Sequence, residues 1–210
     1  MSFDEVREAY SGRAGEYVDA VGKIEHATER DRDALLAWAR AVDGPILDVG
    51  CGPGQWTSFL HHRGIDIEGV DPVESFLADA RTRYPGARYR TGRAEDLGVP
   101  DGSLGGILAW FSLIHTDPRD IDAPLSELAR CLRQGGSLAL GFFVGPDHEP
   151  FDHAITTAYL WSVDGLGRRV AQAGFTVVET RTRTTPGTRP YALLVAERRA
   201  TASRAPARGA

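Results

Sequence analysis

The chain has 210 residues, 42% of them hydrophobic and 25% charged, with a formal net charge of −5. That length suits one globular domain with its own core, and no apolar run is long enough to span a membrane. The two cysteines, Cys51 and Cys131, are too few for a disulfide framework and point to a reducing cytoplasm, while 20 basic against 29 acidic side chains outside the arginine-bearing last thirteen residues argue against a nucleic-acid partner.

The opening MSFDEVREAY reads as an acidic helix and not as a signal peptide. Residues 1–43 are expected to form a helical cap, in which Tyr10 and Tyr17 share one face at i, i+7. Thr28 and Asp31 have the spacing of a capping box ahead of the apolar stripe Leu35, Trp38, Ala39 and Val42, which Gly44 and Pro45 stop. PILDVG reads as the first strand and QWTSFLHHR as a helix ended by Gly64. A second strand, IDIEGVD, ends at Asp71 and is followed by the helix VESFLADARTRY and the strand ARYRTG. LGGILAWFSLIH contains a fourth strand with so few charges that both its faces should be buried. The helix IDAPLSELARCLR, ended by Gly135-Gly136, leads to the fifth strand, SLALGFFV. Residues 145–161 are expected as a lid over a substrate, and a helix follows over 162–173. FTVVETRTR and YALLVAER, joined by the turn-rich TTPGTRP, should pair antiparallel, and residues 199–210 read as a disordered tail.

Strand-helix alternation over more than a hundred residues implies parallel strands with right-handed crossovers. The expected fold is therefore α/β: a Rossmann-like, doubly wound sheet of seven strands, mostly parallel, with an antiparallel C-terminal edge strand, in a single domain over residues 1–198. Ligands of such sheets sit at the carboxyl ends of the strands where the strand order reverses, and here the first strand runs into a loop with glycines at 50, 52 and 54.

The loop is a poor match to a phosphate cradle. A dinucleotide fingerprint G-x-G-x-x-G would need glycine where Gln55 stands, and the G-K-[ST] of a P-loop is absent. No Cys/His group has zinc spacing, and the adjacent His61 and His62 cannot share a helix face.

Asp48-Val49-Gly50-Cys51-Gly52-Pro53-Gly54 resembles motif I of the class I S-adenosylmethionine-dependent methyltransferases, and the chain is similar to the bacterial ubiquinone/menaquinone-type methyltransferase domain. Three further stretches follow in order: Asp71 at the end of the second strand, TGRAEDLGVPDGSL, and ELARCLRQGGSLALGFF. The resemblance implies S-adenosylmethionine as cofactor, with S-adenosylhomocysteine as product. It places Asp48, Gly50, Cys51, Gly52, Pro53 and Gly54 at the methionine and ribose, with Trp56 beside them. Asp71 falls at the ribose hydroxyls, Pro72, Arg93, Ala94 and Glu95 at the adenine, Trp110 beside the cofactor, and Tyr17 on a covering N-terminal segment. Arg93 stands where the family often has aspartate, Gln134 replaces a proline, and Leu104-Gly105 replaces Phe-Asp.

Methyl transfer needs a base only when the acceptor must lose a proton. His115, just past the fourth strand, and His153 are the candidate catalytic groups, and Tyr10, His26, Tyr159 and Trp161 are the candidate acceptor contacts. A small molecule fits the short lid material better than a polymer, and the N-P-P-Y signature of amino-group methylation in DNA is missing. The expected partner is a small-molecule acceptor, the expected assembly a monomer or homodimer. Arginine- and alanine-rich composition suggests a bacterial secondary-metabolite setting. Two other readings remain open: a protein that binds S-adenosylmethionine without transferring its methyl, and an NAD(P)-dependent oxidoreductase.

Overall fold

The computed structural model describes residues 10, 12 and 22–200; the expectation for Tyr17 and most of that for the tail fall outside them. Among the described residues the helices are α1 (Glu29–Ala41), α2 (Gln55–His61), α3 (Glu74–Arg83), α4 (Asp122–Cys131) and α5 (Val163–Gln172). The strands are β1 (Ile46–Val49), β2 (Ile67–Asp71), β3 (Arg88–Thr91), β4 (Leu104–Trp110), β5 (Leu132–Phe143), β6 (Pro150–Asp152), β7 (Thr157–Tyr159), β8 (Phe175–Arg183) and β9 (Tyr191–Arg198).

Seven strands form one sheet in the order β3-β2-β1-β4-β5-β9-β8. All neighbours from β3 to β5 pair parallel, and β9 pairs antiparallel with both β5 and β8. The reversed strand is thus the C-terminal one, set one place in from the edge. The chain builds outward from β1 through β2 to β3, then returns to β4 on the other side of β1. The switch point lies between the carboxyl ends of β1 and β4, which places the glycine loop and residues 111–116 side by side.

Both faces of the sheet are covered. Alternate residues of each strand point to opposite faces. Leu47, Ile107, Leu138 and Leu194 meet Leu125 and Leu128 of α4 and Leu166 and Val170 of α5. Ile46, Leu108, Ala139 and Leu193 meet Leu35 and Trp38 of α1 and Phe59 and Leu60 of α2. This two-sided burial explains the scarcity of charges in β1 and β4.

The cap on α1 forms as expected: the Thr28 hydroxyl accepts from the Asp31 amide at 3.1 Å. Asp31 does more than cap. It is buried, and its Oδ2 accepts from the Tyr191 hydroxyl at 2.6 Å, tying α1 to β9.

One expectation needs correction. α4 ends at Cys131 rather than running to Gly135-Gly136, because Leu132 already pairs with Leu104 and the strand resumes its register at Ser137 opposite Gly106. Residues 133–136 are the bulge between those pairs. Within the segment 145–161, expected as a lid, β6 and β7 pair antiparallel as a small ribbon. The ribbon is attached to the site by the Tyr159 amide, which donates to the Ile114 carbonyl at 2.9 Å.

Gly105, where the family often has aspartate, has a steric reason. A Cβ there would lie 2.0 Å from the Asp43 carbonyl oxygen. Gly105→Ala is expected to lower stability by about 1–3 kcal/mol, through forced displacement of backbone. Urea unfolding checks this, and S-adenosylhomocysteine affinity of the folded variant should stay unchanged.

Candidate functional site

The glycine loop is held by backbone and by one carboxylate. The amides of Gly50 and Cys51 both donate to the Val70 carbonyl, at 2.8 and 3.1 Å. Asp71 Oδ2 accepts from the Gly52 amide at 2.9 Å, and Oδ1 accepts from the Val73 amide at 2.8 Å. One side chain thus fixes both the loop after β1 and the turn after β2. Burial pushes the Asp71 carboxyl up to about 6, against the lowering effect of those two amides.

Asp48 lies beneath the loop and is 2% exposed. Its Oδ2 accepts from the Thr57 hydroxyl at 2.6 Å. Burial raises its carboxyl to about 7; the Thr57 bond lowers it, and the nearby Asp71 charge raises it again. The Cys51 thiol packs with Leu77, Ala80 and Tyr89, and burial pushes it far above its usual range. It is therefore a packed, protonated thiol at neutral pH.

The glycines divide by role. Gly52 has φ +54, and nothing lies within 4 Å of where a Cβ would stand, so its backbone faces open space. Gly50 is needed because a Cβ would fall 2.3 Å from that of Ser112. Gly54, expected at the cofactor, lines neither cavity described below. A Cβ on it would strike Tyr89 and Ala80 within 2.9 Å, so it is a packing position that lets α3 and β3 approach.

Two cavities open over the loop. The first, of about 350 Å³, is lined by Gly50, Gly52, Asp71, Pro72, Arg93, Ala94, Glu95 and Trp110, with Tyr10, His115 and Ser112 at its wall. The second, of about 500 Å³, is lined by His26, Asp48, Cys51, Gly52, Pro53, Gln55, Trp56, Trp110, Phe111, Phe143 and His153. Gly50, Gly52, Trp110 and Phe111 belong to both, so the cavities adjoin across the loop and the end of β4.

Trp56 is both core and wall: it is 5% exposed and makes an edge contact with Trp110 at 5.8 Å. Arg93, in the place of the family's aspartate, lies 3.5 Å from Glu95 as an ion pair on the rim of the first cavity. Tyr159 and Trp161, expected at the acceptor, line neither cavity. Trp161 is buried in the core with Leu166 and Val170 of α5, and the backbone amide of Tyr159 bonds the Ile114 carbonyl.

His115 is 8% exposed, with both ring nitrogens engaged. Nδ1 lies 2.7 Å from the Thr157 carbonyl, which can only accept, so Nδ1 carries the proton. Nε2 then accepts from the Tyr10 hydroxyl at 2.7 Å. Burial lowers its pKa to about 4, outweighing the carbonyl, so the ring is neutral at ordinary pH. His153 differs. It is half-buried, its Nδ1 is buried without a partner, and burial together with Arg189 lowers its pKa.

Sequence reasoning missed Phe111, Ser112 and Gln55. Phe111 sits at φ +58, rare for a side chain of that size, where β4 turns off between the cavities. Only the stretch FSLIH after a buried strand hinted at it. Among the described residues, no group of His, Cys, Asp and Glu could hold a metal ion, and no helix is long and apolar enough to cross a membrane.

Residues 46–136 match the family model of a methyltransferase domain. An uncharacterized methyltransferase of Synechocystis is 31% identical over 142 residues, covering 63% of this chain and 67% of that protein. The chain spans about half the length of several other curated methyltransferases it matches. The Burkholderia thailandensis 1,6-didemethyltoxoflavin-N1-methyltransferase, solved with its namesake ligand and S-adenosylhomocysteine, superposes with a TM-score of 0.78 at 21% identity, over 94% of this chain and 88% of that one. The [4+2]-cyclase SpnF superposes with 0.76 at 20% identity, over 93% and 96%. These two likenesses show the fold, and a cyclase among them means that the fold alone does not set the reaction. The sequence relationship does set the family: the chain belongs to the class I S-adenosylmethionine-dependent methyltransferases.

The residues present fit that cofactor. Gly52 leaves room against its backbone, and the Ser112 hydroxyl and Gln55 Oε1 are buried polar atoms without partners at the first and second cavities respectively. Asp48 offers a carboxylate to a cationic amino group.

Asp71→Ala frees two amides and removes an acceptor of charge-assisted bonds worth about 1.5–3 kcal/mol each. Calorimetry should show S-adenosylhomocysteine affinity reduced at least about tenfold. Asp48 gives a pH signature. Its folded carboxyl titrates near 7, above its value of 3.8 in an unfolded chain, so the free protein loses stability as pH rises between them. Binding an ammonium favours the carboxylate, so affinity should climb from pH 6 to 8 with proton release, measured by calorimetry in buffers of different ionisation enthalpy. Asp48→Asn should reduce the proton release, leaving the part due to Asp71, and raise the melting temperature of the free protein at pH 8.

Proposed function

We propose that this protein transfers the methyl of S-adenosylmethionine to a small molecule held in the second cavity. The observation that carries this is the join of the two cavities over Gly52, with Asp71 on one side and the unpartnered Nδ1 of His153 on the other. The adenosine would lie in the first cavity, its ribose at Asp71 and its adenine among Pro72, Ala94 and Glu95. The methionine end would lie over Gly50 to Pro53, with its amino group toward Asp48 and its carboxylate toward Lys23 and His26. When bound, the cofactor supplies a methyl on a sulfonium, whose electron pair stays on sulfur as the methyl leaves.

The two histidines take different parts. His153 is the base: it lines the second cavity, and its Nδ1, buried without a partner, is the nitrogen left to take the acceptor's proton. His115 is a positioning residue, since a neutral ring already bonded at both nitrogens has no site for a further proton; it holds Tyr10 against Val73 and Phe76 over the first cavity. Trp110 and Phe111 flank the join between cofactor and acceptor and keep water out. The acceptor is a small molecule because the second cavity offers about 500 Å³, the size of a small-molecule site. A tailoring step of bacterial secondary metabolism is the setting that composition suggests.

The test is to incubate the protein with S-adenosylmethionine and candidate acceptors and follow S-adenosylhomocysteine and methylated product together by mass spectrometry. His153→Ala is expected to lower kcat by about a hundredfold or more with cofactor affinity unchanged. His115→Ala is expected to weaken cofactor binding while kcat at saturation falls much less. Cofactor binding without turnover on any acceptor would favour a binding role instead.

A further inference from the structure

The acceptor half of the second cavity has a chemistry of its own, and the inference drawn from it rests on the methyl-transfer reading above. Its wall is a run of rings in contact: Trp110 to Phe111 at 5.0 Å between centroids, Phe111 to Phe143 at 4.8 Å, and Phe143 to His153 at 6.1 Å. Ile114 and Ile155 complete the lining there. The carboxylate in this cavity is Asp48, at the glycine-loop end. Behind the ring end the exposed Arg189 guanidinium lies 3.8 Å over the Phe151 ring, Phe151 packs against Phe143 at 5.3 Å, and the Arg189 charge is felt at His153. His153 lines this end, and its Nδ1 is buried without a partner.

We infer that the acceptor is a planar aromatic hydroxyl compound, its ring against Phe111 and Phe143 and its oxygen at Nδ1 of His153. The ring wall suits a flat apolar body, for which edge and offset contacts of aromatic groups add to simple burial. The orphan Nδ1 needs a donor, and an acidic hydroxyl supplies one. Positive potential from Arg189 favours an oxygen that becomes anionic as it gives up its proton. A protonated amine meets the opposite situation: Arg189 repels it, and the carboxylate lies at the cofactor end. The position of His153 on the ribbon between β6 and β7 makes that ribbon the element that selects the acceptor.

The experiment uses two probes of one shape, 2-naphthol and the cationic 2-(aminomethyl)naphthalene, titrated by calorimetry into the full-length protein saturated with S-adenosylhomocysteine. The naphthol should bind at least tenfold more tightly than the amine at pH 7. Phe143→Ala and His153→Ala should each weaken naphthol at least fivefold, with unchanged S-adenosylhomocysteine affinity showing that both variants are folded. An amine that binds as tightly as naphthol, or variants that bind naphthol undiminished, would overturn the inference while leaving the methyl-transfer reading in place. Failure of the unaltered protein to bind S-adenosylhomocysteine would instead remove the reading beneath it.

Discussion

The site depends on one buried carboxylate that is shared between two loops. Asp71 takes the Gly52 amide with one oxygen and the Val73 amide with the other, and so couples the ends of β1 and β2 at the point where the strand order turns. The start of the glycine loop is held by the Gly50 and Cys51 amides on the Val70 carbonyl, but Gly52 beyond it stands in open space at positive φ. The carboxylate supplies the missing anchor. It does so at a cost: burial disfavours the charge on both acids, and the Asp71 charge adds to the effect on Asp48, so Asp71 rises to about 6 and Asp48 to about 7. In the proposed placement of the cofactor, its ammonium and ribose hydroxyls would meet these two carboxylates, so the cost of burying them and the affinity for the cofactor would have a common origin.

The second organising feature is the aromatic corner at the end of β4. Trp110 lies in edge contact with Trp56, Phe111 and Tyr191, and Tyr191 is bound through its hydroxyl to the buried Asp31 of α1. The corner is thereby fastened to the sheet, to α2 and to α1 at once. A wall fixed from three sides keeps its shape between two cavities, which is what positioning two reactants requires. On the far side the ribbon is docked through the Thr157 carbonyl on His115 and the Tyr159 amide on the Ile114 carbonyl. His115 thus joins ribbon, β4 loop and Tyr10 in one chain of bonds.

How much of this was legible in the sequence follows from the range of each interaction. The strands and helices were legible because their patterns repeat over a few residues, as in Leu125 and Leu128 of α4. Asp71 was legible because it ends a strand after a glycine loop. The bulge at 133–136 was not: Gly135-Gly136 is a helix stop in local terms, and the register with Leu104 that decides it is a contact across the sheet. Gly54 resembles its neighbours in the motif, and only the proximity of Tyr89 and Ala80 reveals it as packing. His115 and His153 were found by their places after β4 and in the ribbon, but their difference lies in partners 105 and 42 residues away for the first and in a missing partner for the second. Trp161 is large and lies in the right segment, yet it is buried in the core with Leu166 and Val170 of α5.

A crystal structure of the protein with S-adenosylhomocysteine tests the central claim most directly, because that claim is spatial. The expected result has both ribose hydroxyls on Asp71 with the Gly52 amide bond kept, the amino group facing Asp48, and the sulfur over Gly52 with an open path to Phe143 and His153. A ligand whose ribose lies away from Asp71, or whose sulfur is walled off from His153 by Trp110 and Phe111, would contradict it.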